Sequence, residues 1–388
     1  MPPPLAIKKA LTSAAVQVAW ILGTVVALFV VAYIGERTEA RMPHGAKLRV
    51  ALFINGTLGD KSFFDSAARG LREAGQTLPV FVKVIEGGTD PTRWEGALTD
   101  LADSGDFDLI VAGTFTMVPY IQRLAGEFPK ARFVVFDAAV DYATCHCGNV
   151  HSILFRQNEG AYLAGYLAAS LDREGLPGLR PGGGLGVVGG MQFPVIDDFI
   201  VGFRAGARAA APGVSVASQY ANSFSDPAVG KEIAKAQYGR GVSLIFHVAG
   251  ATGQGVNEAA LEANRYAIGV DMDQYLLYQA THPALASRIV TSVLKNVDVA
   301  ILRVVQQQLD GRLNFGHAES LGLAEHGISL ARHSKVLSQT SPAVLQALDN
   351  MQNAIVEKRV QVPSAFTPKA SEPVSSTALQ AGLVAVSR

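Results

Sequence analysis

Short apolar runs alternating with helix-length amphipathic segments constrain this chain more than any other feature, and residues 214–274 show the alternation most cleanly. The run 214–220 reads as a strand and gives way to the loop Ser223-Phe224-Ser225-Asp226-Pro227, where Asp-Pro opens a helix because proline fits the first turn. That helix, 228–238, stops at Arg240-Gly241, and the apolar run 243–248 reads as a buried parallel strand. Gly250-Ala251-Thr252-Gly253-Gln254-Gly255 reads as a loop whose backbone can approach a bound molecule closely. A second helix and the strand 266–270 follow, ending in Asp271-Met272-Asp273-Gln274. In open parallel sheets, ligands sit beyond the carboxyl ends of the strands. An aromatic loop, a glycine-rich loop and an acidic tip are therefore expected along one edge.

The same rhythm fills the preceding half. Strands are expected at 48–54, 80–85, 109–112, 133–136 and 150–154, with helices at 65–74, after Asp90-Pro91, at 121–128 and at 161–171. Asp60 and Ser62 are candidate caps of the first helix, and Phe63 falls at the mouth of the sheet. A Gly/Pro-rich break at 175–184 precedes a second series, with a helix at 199–210, a strand-like segment at 287–292, Lys295, and a helix at 297–309. Strand–helix alternation at this spacing implies an α/β architecture of doubly wound parallel sheets. Two such halves suggest two lobes around a hinge: 47–154 with about 272–302, and 155–271 with about 303–362. The segment 363–388 reads as a disordered tail.

The N-terminus carries a different signal. Lys8 and Lys9 precede an apolar run at 14–34 interrupted mainly by Gln17, and about 20 such residues cross a hydrocarbon core of roughly 30 Å. Basic residues in front favour a single-pass membrane helix at 1–34 with the remainder outside the cytoplasm, beyond a linker at 35–46. A cleaved secretory signal is the alternative. Charge is balanced, 33 basic against 33 acidic residues, so no nucleic-acid partner is expected. Cys145 and Cys147 flank His146 and read as incidental thiols, because a bridge across one residue is strained and no further zinc ligands keep a recognised spacing.

Motif by motif, catalysis finds no support. Gly184-Leu185-Gly186-Val187-Val188-Gly189 has the letters of a dinucleotide turn, but its glycines fall inside a strand. Gly230-Lys231 lacks the rest of a phosphate-binding loop, and no G-x-S-x-G or H-E-x-x-H occurs. Asp271 and Asp273 stay open between a metal pair, a helix cap and an acceptor for ligand hydroxyls. No cofactor, no metal and no enzymatic activity are expected.

Several motifs, in order, carry a resemblance. They are Gly59-Asp60-Lys61-Ser62-Phe63, Glu159-Gly160-Ala161-Tyr162-Leu163-Ala164-Gly165, Gly189-Gly190-Met191 with Pro194, and Gly202-Phe203 with Gly206. The Ser223–Pro227 loop with Gly230-Lys231, the 249–255 turn, Ile268-Gly269-Val270-Asp271-Met272-Asp273-Gln274, and Thr291-Ser292-Val293-Leu294-Lys295-Asn296-Val297-Asp298 complete the set. Over roughly residues 47–310 the chain resembles the basic membrane protein family of ABC-transporter substrate-binding proteins, whose best understood members bind purine nucleosides. The resemblance implies a type I periplasmic-binding-protein fold, an extracytoplasmic location, an ABC permease as partner and a nucleoside-like ligand between the lobes.

The same resemblance implies that Phe63 and Phe224 grip a flat base, Asp271 holds the ribose hydroxyls, and Lys295 lies near the sugar. Backbone amides around Gly250 and Gly253 reach the ligand, and Met191 lines the cleft. Many members carry an aspartate in the first loop; here Asn55 leaves an amide to read the base. Two further polar positions of the family fall near Ala97 and Pro119, so the base-reading side is thinned while the sugar side is kept. A membrane-anchored regulatory protein on the same fold, and a nucleoside-processing enzyme, stand as alternatives. Asp226 is expected to cap its helix, and a surface pair of Lys295 with Asp298 is the alternative to a ligand role for the lysine.

Overall fold

A computed structural model describes residues 45–366, apart from 176 and 178–180. The expected membrane helix 1–34, nearly all of the linker 35–46 and the tail beyond 366 lie outside the described residues. Among the described residues no helix is long and apolar enough to cross a membrane.

In chain order the first half runs β1 (Leu48–Ile54), α1 (Phe63–Thr77), β2 (Val80–Glu86), α2 (Trp94–Ser104), β3 (Leu109–Gly113), α3 (Val118–Glu127), β4 (Phe133–Phe136) and β5 (Val150–Phe155). The second half runs α4 (Gln157–Glu174), β6 (Leu185–Gly189), α5 (Pro194–Ala210), β7 (Val216–Tyr220), α6 (Pro227–Gly239), β8 (Leu244–Val248), α7 (Thr252–Glu262), β9 (Tyr266–Asp271), α8 (Gln274–Gln279), α9 (Pro283–Ala286) and β10 (Ile289–Lys295). Then follow α10 (Val297–Leu309), β11 (His317–Leu321), β12 (Ile328–Leu330), α11 (Lys335–Ser338) and α12 (Pro342–Val356).

These strands make two six-stranded sheets, ordered β11-β5-β4-β3-β1-β2 and β12-β10-β9-β8-β6-β7. The five main strands of each are parallel and follow one doubly wound order, so the two halves repeat a topology without repeating residues. Interior strands such as β4 (FVVF) and β8 (LIFHV) are buried along their whole length, as strands covered by helices on both faces must be. The outer strands β2 (VFVKVIE) and β7 (VASQY) are partly exposed and correspondingly more polar.

The chain crosses between lobes at Arg156, at Asn296 and at 322–327. This corrects the expected division. Residues 272–295 stay in the second lobe, because β10 pairs with β9. Helix α10 packs on α1 in the first lobe, where Arg69 bonds Asp298 at 2.7 Å, and β11 extends the first sheet beside β5. Only from β12 does the chain return to the second sheet. Strand β11 (HAESL) is a polar edge strand without an apolar run, which hid its pairing.

Two smaller expectations also change. The chain is not loose from 363: Ser364 Oγ and Ala365 N–H donate to Asp198 Oδ1 at 2.6 and 2.9 Å, and Asn158 Nδ2 donates to the Pro363 carbonyl. Cys145 and Cys147 form a disulfide; the turn after β4 brings their Cα atoms to 5.3 Å, within the span such bonds require.

Candidate ligand-binding cleft

The first loop is built by Asp60. Its carboxylate accepts the N–H groups of Ser62, Phe64 and Asp65 at 3.0, 2.8 and 3.1 Å, which holds the start of α1 and fixes the loop ahead of it. Ser62, the other expected cap, makes no capping bond. Its hydroxyl instead crosses to the second lobe and donates to the Asp271 carboxylate. Phe63 follows directly and packs on Phe136, ring centroids 5.4 Å apart.

Several residues at or just beyond strand tips of this edge have left-handed backbones: Thr114 (φ 73°) after β3, Asp137 (φ 63°) after β4, Gly250 (φ 55°) after β8 and Asp271 (φ 65°) at the end of β9. Such conformations are disfavoured for residues with a side chain and gather at functional sites. Of these, Asp137 and Asp271 bond across to the other lobe.

Asp271 and Asp273 divide the open alternatives between them. Asp273 caps α8, accepting the Leu276 N–H at 3.1 Å, and lies 2.9 Å from His333 Nδ1. Asp271 is buried at the cleft, and burial pushes its pKa up to about 6. The Ser62 hydroxyl and Lys295 oppose that rise, whereas Asp60 and Asp137 add to it. Lys295 is 2% exposed, so the surface pair with Asp298 does not form. Its ammonium donates to Asp137 across the cleft and lies 5.7, 5.3 and 5.4 Å from the ring centroids of Phe63, Phe155 and Phe199. Aromatic faces attract a cation without offering it a hydrogen bond, so the carboxylate sets its direction.

Phe63, Asp271 and Lys295 thus form one cluster. Phe224 belongs to a second, wholly within the other lobe. Its ring, 37% exposed, lies over Gly190, beside Met191 in sequence, and its backbone borders Gly250. Asp226 caps α6 as expected, accepting the Val229 N–H at 3.1 Å. Gly253 departs from expectation. It lies in the first turn of α7, its N–H donates to the Gly250 carbonyl at 3.0 Å, and its missing side chain leaves room for the His247 imidazole. Its amide is therefore spoken for, and its glycine is a packing requirement.

Asn55, at the tip of β1, donates through Nδ2 to the Thr114 and Thr116 hydroxyls at 3.1 and 2.9 Å. Its Oδ1 is buried with no hydrogen-bond partner among the described residues, an acceptor held ready for a donor. Asp137, Ser62, Thr114 and Thr116 are the polar residues that sequence reasoning missed or misassigned. Among the described residues, no group of three or more His, Cys, Asp or Glu is arranged to hold a metal ion.

The lobes meet along this edge. Phe115 and Phe193 pack with their rings tilted by 50° and centroids 4.3 Å apart, Gln254 Nε2 donates to the Asp60 carbonyl at 3.2 Å, and Lys61 Nζ sits 5.5 Å from the Tyr278 ring centroid.

Comparison with known proteins agrees with this layout. Residues 47–365 match the profile of a family described as ABC transporter substrate-binding protein PnrA-like. Basic membrane protein D of Borreliella burgdorferi is 30% identical, covering 81% of this chain and 87% of that protein. The ABC transporter nucleoside-binding protein BmpA of Lactococcus lactis is 28% identical over 84% of this chain and 92% of its own length. Among solved structures, an ABC transporter solute-binding protein of Aeropyrum pernix superposes with a TM-score of 0.71 at 26% identity, covering 81% of this chain and 94% of that one.

Proposed function

Because the chain belongs to the family of PnrA-like ABC transporter substrate-binding proteins, we propose that its interlobe cleft holds a nucleoside, which it delivers to an ABC permease. It is a substrate-binding protein and not an enzyme, as the family's members are. The observation that carries the nucleoside reading is the Ser62 hydroxyl on the buried Asp271 carboxylate, next to Phe63 and Lys295. A carboxylate already accepting a hydroxyl in a dry site is the acceptor that a ribose diol takes, and bonds to a charged acceptor are the strong ones. The name of the Lactococcus lactis relative supports the same ligand class.

In this reading the base lies between Phe63 and Phe224, each contact contributing on the order of 1–3 kcal/mol by stacking. Asn55 Oδ1 accepts from the base edge. Asp271 and Lys295 hold the sugar from the second lobe, and rotation about the three crossings closes the first lobe over it. Closure excludes water and strengthens each polar contact. The apolar run 14–34 holds the domain at the outer face of the membrane, and the Cys145–Cys147 disulfide suits an oxidising compartment.

Mass spectrometry of the small molecules released from the purified full chain tests this. A nucleoside is the expected release. A free sugar or an amino acid in its place, with no nucleoside raising the melting temperature, overturns it.

A further inference from the structure

We propose that Asp137 is a further residue of the binding machinery, one that positions Lys295 from the opposite lobe and so makes lobe closure part of ligand capture. The proposal rests on the reading of the cleft given above. Asp137 follows β4 in the first lobe, and Lys295 is the last residue of β10 in the second. Their side chains are 11% and 3% exposed, and the pair spans the cleft. Among the described residues, Lys295 is the hydrogen-bond partner of the Asp137 carboxylate.

Three features separate this pair from an ordinary ion pair. Asp137 has a left-handed backbone, φ 63°, which turns its carboxylate off the strand tip toward the second lobe. The other neighbours of the lysine head are the rings of Phe63, Phe155 and Phe199, which attract a cation but do not orient its donors. An ammonium carries three donors on a flexible stem. With one donor fixed on Asp137, two remain for a ligand beside Phe63. Any separation of the lobes that draws the tip of β4 away from the end of β10 breaks the pair, and a buried charge that loses its partner is strongly disfavoured. Ser62 on Asp271 makes a second bond between the lobes with the roles exchanged, first-lobe donor to second-lobe acceptor. A ligand that engages Lys295 therefore binds the closed arrangement better than the open one, which is the differential affinity that closure requires.

The test uses the full chain in detergent and the variants Asp137→Asn, Lys295→Met and their double. Asparagine keeps the size of the side chain and tolerates the left-handed backbone. Adenosine and inosine are titrated calorimetrically, and amide exchange is followed by mass spectrometry without ligand. We expect Asp137→Asn to weaken binding about tenfold or more, as removal of one partner of a buried pair does. The double variant should bind no more weakly than the worse single variant, because the two residues act as one unit. Without ligand, each single variant should exchange faster at 60–65 and 270–274 while β3 and β8 stay protected; a merely structural defect would speed the core strands as well. Unchanged affinity in Asp137→Asn, losses that multiply in the double variant, or cleft edges as protected as before each overturns the proposal. If the unaltered chain binds neither nucleoside, the functional reading fails while the exchange experiment still decides the role of Asp137. Should Asp137→Asn not fold, Lys295→Met answers the exchange question alone.

Discussion

Replacing Asp271 by asparagine should remove ligand binding and, without ligand, make the protein more stable at neutral pH. Burial lifts this carboxyl from 3.8 to about 6 in the folded chain. The gap is roughly two pKa units at about 1.4 kcal/mol each, so keeping Asp271 ionised at pH 7 costs the fold about 3 kcal/mol. The sign follows from the direction of the shift. A group whose folded pKa is raised contributes its full stability below its unfolded value, here 3.8, and loses it as pH rises through about 6. Asparagine stays neutral and still accepts from Ser62. Its advantage should therefore be nearly nil at pH 4, grow between pH 4 and 6, and level off near 3 kcal/mol by pH 7.5. At about 1.5 °C per kcal/mol for a folded chain of this length, the ligand-free variant should melt roughly 4–5 °C higher at pH 7.5. Melting curves of both proteins from pH 4 to 8 measure it, with calorimetry for the ligand, where loss of charge-assisted bonds should weaken binding at least about tenfold. A variant that melts lower at pH 7.5, or a difference that ignores pH, would refute the burial argument.

Three further outcomes follow from single sites. Phe224→Ala removes one stacking face, so ligand affinity should fall about 5- to 150-fold by titration calorimetry, while the melting temperature without ligand changes little because the residue is exposed at the surface and outside the core. Gly206→Val should fail to give soluble protein, because a Cβ there lands on the Tyr162 carbonyl where α4 and α5 cross. A reporter fused after Arg388 should be active outside the cytoplasm; activity inside would reverse the proposed orientation.

Much of the scaffold was legible because it obeys simple periodicities. The apolar runs located β1 to β10 within a few residues, since buried parallel strands need such runs. The family motifs were legible too, but several mark packing and do not touch the cleft. Gly202 and Gly206 let α4 and α5 approach, and Gly253 makes room for His247. Reading Gly253 as a ligand-facing amide confused a close approach between protein parts with one to a ligand. Asp271, Lys295 and Phe63 were singled out by resemblance, and the fold brings these side chains together, their ligand roles being part of the proposal. Asp137 was not, because nothing local distinguishes it: its meaning comes from a residue far along the chain that only the closed fold brings to it. The third lobe crossing was hidden for a like reason, since a polar five-residue edge strand leaves no apolar signature. The disulfide was discounted on spacing alone, which does not specify the local turn.

In the proposed binding mode Asp271 and Lys295 hold a sugar diol while aromatic side chains hold the base. Calorimetric titration of the full chain with a nucleoside and with its 2′,3′-dideoxy analogue tests that claim in one comparison. The stacking surface is the same in both, so the predicted result is saturable one-to-one binding of the nucleoside and at least about a tenfold weaker hold on the analogue, as loss of bonds to a charged acceptor requires. Equal affinity for the two would contradict it.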